Sequence, residues 1–173
     1  MITTKPKAKI VCVPGVEAIA REMTTSSQVG IILNRVKKLH LSSLLQVGLS
    51  NLPYLFKIVK KDFAVGIKVL TELEILKLRE LGQPRIVALH QQMVDMAVAL
   101  GRPKVIEYFL VMARTYGYIP YLNTCNVEPL VKTLSTIRYI PNNLVIVTSD
   151  DQNEGIMQYM KISHLIFLVI GSK

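Results

Sequence analysis

The hydrophobic positions of this chain change period several times, and those changes mark its elements. "NLVIVTS" (143–149) and "HLIFLVIG" (164–171) are short runs, apolar at consecutive positions. Runs of that length fit strands buried on both faces. "PRIVALH" (84–90) and "YIPYLN" (118–123) have the same character. Pro120 lacks a backbone N–H, which assigns the second of these to a sheet edge or a strand start. Residues 1–15 read as extended, because Pro6, Pro14 and Gly15 forbid a long helix. Elsewhere the spacing becomes helical. "VEAIAREM" (16–23), "VGIILNRVKKLHLSSLLQVGL" (29–49), "QQMVDMAVALG" (91–101), "RPKVIEYFLVMARTYG" (102–117), "VEPLVKTLSTI" (127–137) and "NEGIMQYMKI" (153–162) read as helices. Pro103 suits the first turn of its helix. Within Gln83–Gly117 a competing reading puts the strand at Lys104–Val111.

The stretch "YLFKIVKKDFAVGIKVLTELEILKLRELG" (54–82) carries a different expectation. Val65–Leu70 reads as a short strand, and Thr71 as the cap of a following helix. Glu74 then completes a capping box, and Gly82 ends the helix. Strands apolar on both faces, separated by helices, describe an α/β fold. The expected architecture is a parallel sheet of about five strands with helices on both faces, a Rossmann or flavodoxin-like three-layer sandwich. Residues 1–43 are expected to form a basic N-terminal extension with helices, and residues 44–173 the sheet domain.

Charge adds a second division. The net charge is +9, and it is uneven. Met1–Leu70 holds eleven Lys and Arg against Glu17, Glu22 and Asp62, whereas the remainder is near neutral. A basic half points to a polyanionic partner, and nucleic acid fits best. Two clusters, Arg35/Lys37/Lys38 and Lys57/Lys60/Lys61, fall in a segment almost free of acids. Binding phosphates through Lys and Arg needs no sequence motif. No stretch of eighteen uninterrupted apolar residues occurs, so no membrane span is expected. The start "MITTKPKAKIVCVPG" is acid-free, as transit peptides are, with no secretory core behind it. Because the chain begins with Met1, no removed presequence is expected.

The α/β pattern raises the question of catalysis. No G-x-G-x-x-G follows a strand, and there is no phosphate-binding G-x-x-x-x-G-K-[ST] and no G-x-S-x-G elbow. Asp150 and Asp151, with Glu154, stand where a strand end meets a helix start. They offer oxygen ligands for Mg²⁺ in an alternative reading as a small Rossmann-like metal- or nucleotide-dependent enzyme. Helix capping by the same carboxylates is the simpler reading. Cys12 and Cys125 are far apart, and His40, His90 and His164 are scattered, so structural thiols are expected rather than a metal site. Tyr116, Tyr118 and Tyr121 surround one strand; they fit packing against a helix better than stacking on bases.

Three stretches, in order, resemble the family of small-subunit ribosomal protein two. "LLQVGL" (44–49) and the following "PYLFKIVKKDFAVGIKVLTELEILKLREL" resemble the family's "LL-x-x-G" entry. After that entry the family has a "P-Y-aromatic" segment, a strand "G-I-H-I-I-D-L" and a helix opening "E-K-T". "PYLNTCNVEPLVKTLSTI" (120–137) runs along "P-Y-V-N … L-T-N-x-K-T-I", matching at Pro120, Tyr121, Asn123, Thr136 and Ile137. "IPNNLVIVTSDDQNEGIMQYMKISHLIFLVIGS" (140–172) lies over "L-P-D-A-L-F-V-I-D … A-I-x-E-A … I-P-V-F-A-I-V-D". Leu49-Ser50-Asn51 stands where the family has "H-F-G-H", and Cys125–Pro129 where it has "R-W-L-G-G". The family's long helical hairpin has shrunk to Arg138-Tyr139.

The resemblance implies a non-catalytic constituent of the small ribosomal subunit. It would bind small-subunit rRNA and neighbouring ribosomal proteins, with no cofactor, metal or small-molecule substrate. The lost family contacts imply a mitochondrial ribosome, with another organelle or a bacterial ribosome as the alternative. Lys57, Lys60 and Lys61 fall on the segment where the family approaches rRNA. Arg35, Lys37, Lys38 and Arg138 are added from charge alone.

Overall fold

The structure is a computed structural model that describes residues 10–13, 37, 40–54, 63–82, 85–149 and 166–170. Five strands form one parallel sheet: β1 (Ile10–Val13), β2 (Ile86–Leu89), β3 (Ile119–Asn123), β4 (Val145–Ser149) and β5 (Ile166–Ile170). Their spatial order follows their sequence order. The helices are α1 (Leu41–Asn51), α2 (Phe63–Glu80), α3 (Gln91–Ala99), α4 (Pro103–Thr115) and α5 (Val127–Leu134). A short 3₁₀ turn, Leu52–Tyr54, follows α1. The α/β parallel sheet expected from the apolar runs is therefore the fold that forms. The expected helices at 16–23 and 153–162 lie outside the described residues.

Register fixes which residues share a face. Val13, Leu89, Leu122 and Ile146 stand in one row across four strands. All four belong to the main core, with Val87 and Leu144. Onto this face pack Ile67 and Ile75 of α2, Val94 and Ala97 of α3, Ile106, Phe109 and Leu110 of α4, and Leu130 and Leu134 of α5. The helices α2 to α5, which stand between β1 and β4 in the chain, thus share one core with this face. Ala88, Val145 and Val147, on the opposite face, are also buried, in keeping with a sheet covered on both sides.

Local signals place the ends. Pro103 opens α4 at its first turn, as expected. Gly117 ends α4 with a positive φ of 75°. There Tyr118 N donates to Ala113 O at 2.8 Å and Gly117 N to Arg114 O at 3.0 Å. These two bonds satisfy carbonyls that the helix end would leave open and turn the chain into β3.

The structure corrects several expectations. Val65–Leu70 is not a strand: α2 runs unbroken from Phe63 to Glu80. The apolar run is dense because α2 is buried on two sides. Ala64, Ile67 and Ile75 face the main core, whereas Val69, Leu73 and Leu76 pack with Val47 of α1. Period alone does not separate such a helix from a buried strand. Thr71 consequently caps nothing; it lies buried inside the helix, and its hydroxyl lacks a partner. The competing strand at Lys104–Val111 is part of α4. For Pro120 the strand-start alternative holds and the edge alternative does not: it is the second residue of β3, between β2 and β4. Ile119 N donates to Arg85 O on the β2 side, so the nitrogen of Pro120 faces β4, one residue before that ladder begins at Tyr121 and Val145. Finally, the boundary after residue 43 falls inside α1, and β1, from the expected extension, pairs with β2 as part of the sheet.

One polar cluster joins α1, α2 and the end of α4. Glu72 is 3% exposed and Asn51 4% exposed. Asn51 Nδ2 donates to Glu72 Oε2 at 2.7 Å, and Tyr116 OH donates to Glu72 Oε1 at 2.9 Å. Lys68 Nζ donates to Asn51 Oδ1 at 2.7 Å and lies 3.6 Å from Glu72 Oε2. A buried carboxylate persists only with such partners. Polar side chains share the buried face of α1 with Val47. Ser43 and Asn51 are buried, and Leu45 and Leu49, with Leu52 of the 3₁₀ turn, are exposed.

Candidate nucleic-acid interface

In a parallel sheet every strand begins at the same edge, so the residues between a helix end and the next strand converge there. Lys77 and Arg79 lie in the last turn of α2, and Arg85 stands immediately before β2. Arg114 lies in the last turn of α4, before β3. Arg138 follows α5 and precedes β4. All five are exposed. They converge on one edge although they are dispersed in sequence.

Two contacts give this edge structure. The Arg114 guanidinium lies over the Tyr139 ring, 4.8 Å from its centroid. That cation–π contact fixes Arg114 beside the segment that carries Arg138. Arg79 is close enough to Tyr116 and Tyr118 for its charge to favour their ionised forms. Burial nevertheless dominates and raises both hydroxyls above the ordinary tyrosine range. The carboxylate at this edge is already engaged. Glu80 Oε1 accepts from Ser43 Oγ at 2.5 Å and from His40 N at 3.2 Å. The Ser43 bond is the main reason that Glu80 titrates below its ordinary value. Lys132 differs from the five cations, because Glu128 pairs with it at 2.6 Å.

Of the cations expected from sequence, Arg138 belongs to this edge, and Lys37 is exposed in a turn ahead of α1. Arg35, Lys38, Lys57, Lys60 and Lys61 lie outside the described residues. Sequence reading missed Lys77, Arg79, Arg85 and Arg114. The available signal was their position, each between a helix end and a strand start. Among the tyrosines, Tyr118 is buried in the main core and Tyr116 packs against it, as the packing reading expected.

The opposite, carboxyl edge is where α/β folds keep their chemistry. Here Thr124 Oγ1 donates to Asp95 Oδ1 at 2.5 Å and accepts from Asn126 N at 2.9 Å. Gln91 Nε2 donates to Cys125 Sγ. His90 caps α3 by accepting from Gln92 N at 3.3 Å. The Asp95 and Gln91 bonds tie the β3–α5 loop to α3. The Thr148 hydroxyl is buried without a partner. Asp150, Asp151 and Glu154 lie outside the described residues. No group of three His, Cys, Asp or Glu side chains that could hold a metal occurs among the described residues. A cavity of about 340 Å³ opens between the first turns of α2 and α4, with Arg102, Lys104 and Tyr108 in its wall and neither a carboxylate nor a histidine. Cys12 and Cys125 are free thiols. No helix among the described residues is long and apolar enough to cross a membrane.

Comparison with protein-family models, curated proteins and solved structures finds no match to this chain.

Proposed function

We propose that the chain is a structural, non-catalytic constituent of a small ribosomal subunit, in mitochondria. In this reading it binds rRNA through the cations at the amino edge of its sheet and touches neighbouring ribosomal proteins. The carrying observation is the convergence of Lys77, Arg79, Arg85, Arg114 and Arg138 beside Tyr139. Arginine pairs with phosphate through its fork and stacks on planar groups, so an edge with exposed arginines suits a folded RNA backbone. The net charge of +9 supplies the long-range attraction.

The ribosomal part of the proposal draws on the family resemblance. Its support lies in the second and third stretches, along which β3, α5, β4 and β5 follow in order. The first stretch contributes less, because residues 66–70, set against a family strand, are helical. The test is sedimentation of a mitochondrial lysate through a salt-washed sucrose gradient. The chain should travel with small ribosomal subunits and shift with them when the subunits are unfolded by EDTA. Recovery only at the top of the gradient would refute a ribosomal role.

A further inference from the structure

We propose that β5 is a self-association edge, on which a second copy of this chain adds its own β5 antiparallel and joins the two sheets into one of ten strands. β5 is the outermost strand, and among the described residues no strand pairs with its outer side. Ile166 N donates to Leu144 O, so the backbone groups of Ile166, Leu168 and Ile170 face β4. Strand alternation then turns the N–H and C=O groups of Phe167 and Val169 outward. Outward backbone groups of this kind are a template for a further strand.

Edges that must stay single carry charges, prolines or glycines. Within β5 itself, "IFLVI" contains none of these, and Gly171 and Lys173 follow only after the strand ends. The identity of the occupant follows from the order of the side chains. "IFLVI" is nearly palindromic about Leu168. In an antiparallel pair centred there, Ile166 stands opposite Ile170 of the second copy, and Phe167 opposite Val169. The outward groups of those Phe and Val residues exchange backbone hydrogen bonds on both sides of the axis, and Leu168 meets its own counterpart. An aromatic residue opposite a β-branched one is a favoured cross-strand pair, and no charge opposes a like charge. The axis stands perpendicular to the sheet, so the described helices of both copies lie on the same face. This pairing belongs to the free chain and is independent of the RNA-binding edge.

The test is sedimentation equilibrium of the full chain, without RNA, over roughly 1 µM to 1 mM, a range that brackets weak and moderate association. A monomer–dimer equilibrium is expected. Val169→Pro removes an outward N–H and leaves the β4 ladder intact, so it should be monomeric with unchanged far-ultraviolet circular dichroism. Ile166→Lys, at a position 54% exposed, should weaken the dimer by about tenfold or more through lost cross-strand packing and added charge. It also serves as the deciding variant should Val169→Pro fail to fold. A wild-type chain that remains monomeric throughout overturns the proposal and leaves the edge to a different protein's strand. A dimer with the same dissociation constant in Ile166→Lys, or in folded Val169→Pro, overturns it as well.

Discussion

Removing one hydroxyl tests how α1, α2 and α4 are held together. Tyr116→Phe deletes the donor that meets Glu72 Oε1 at 2.9 Å and leaves the ring in place. A hydrogen bond to a charged acceptor contributes about 1.5–3 kcal/mol. Tyr116 is only half-buried, and solvent screens its share, which favours the lower end, about 1.5 kcal/mol. Urea unfolding should show a lower midpoint with an unchanged slope, and the thermal midpoint should fall by about 3–6 °C. Combined with Glu72→Gln, the two changes should be non-additive by about 1 kcal/mol, because they share one contact. Alkaline pH provides a second readout. Burial, followed by the Glu72 charge, raises the Tyr116 hydroxyl well above its ordinary value of 10.0. A raised folded-state pKa means that the native state holds the proton longer than the unfolded state does. Its stabilisation is therefore complete below the ordinary value and is lost as pH climbs beyond it. Absorbance titration should find one tyrosine that ionises after the others and is absent in Tyr116→Phe. Tyr116→Phe as stable as wild type, or fully additive with Glu72→Gln, would refute this account of the cluster.

Three further outcomes follow from the geometry. Gly66 lies inside α2 with nothing within 4 Å of an added Cβ, so Gly66→Ala should stabilise by about 0.5–1 kcal/mol, and a lower melting temperature would contradict the open space. Gly117→Ala forces a side chain onto a φ of 75° and should cost about 1–2 kcal/mol in denaturant titration, whereas an unchanged midpoint would dismiss the left-handed turn as a determinant. Ser43→Ala removes the main cause of the lowered Glu80 titration; carbon-detected NMR should show that carboxyl returning towards 4.5. Since a lowered carboxyl stabilises above its unfolded value and loses that effect as pH falls through the folded value, wild type and Ser43→Ala should converge in stability at low pH.

The parts legible in the sequence were those with a single period. β2, β3, β4 and β5 are short apolar runs between turn residues, and α3, α4 and α5 show one apolar face each. α2 was misread because it has two buried faces, so Val65–Leu70 carries too many apolar residues to reveal a helical spacing. Of the two places Pro120 allowed, the strand start is the one found, since its missing N–H faces the side where β4 has not yet begun to pair. The basic edge could not be assembled from charge clustering. Lys77, Arg79, Arg85, Arg114 and Arg138 are isolated in the chain, and only parallel topology gathers them. Nor does any local pattern pair Asn51 with Glu72 and Tyr116, which meet only after three helices dock.

The central claim is that the amino edge of the sheet grips RNA through phosphate contacts. Its most direct test is the affinity of the full chain for a structured small-subunit rRNA fragment, measured against salt concentration. Wild type should lose affinity steeply, and the double variant Arg114→Gln, Arg138→Gln should bind more weakly with a log–log slope shallower by about 2. Binding that barely changes with salt, or a double variant with the wild-type slope, would contradict the account.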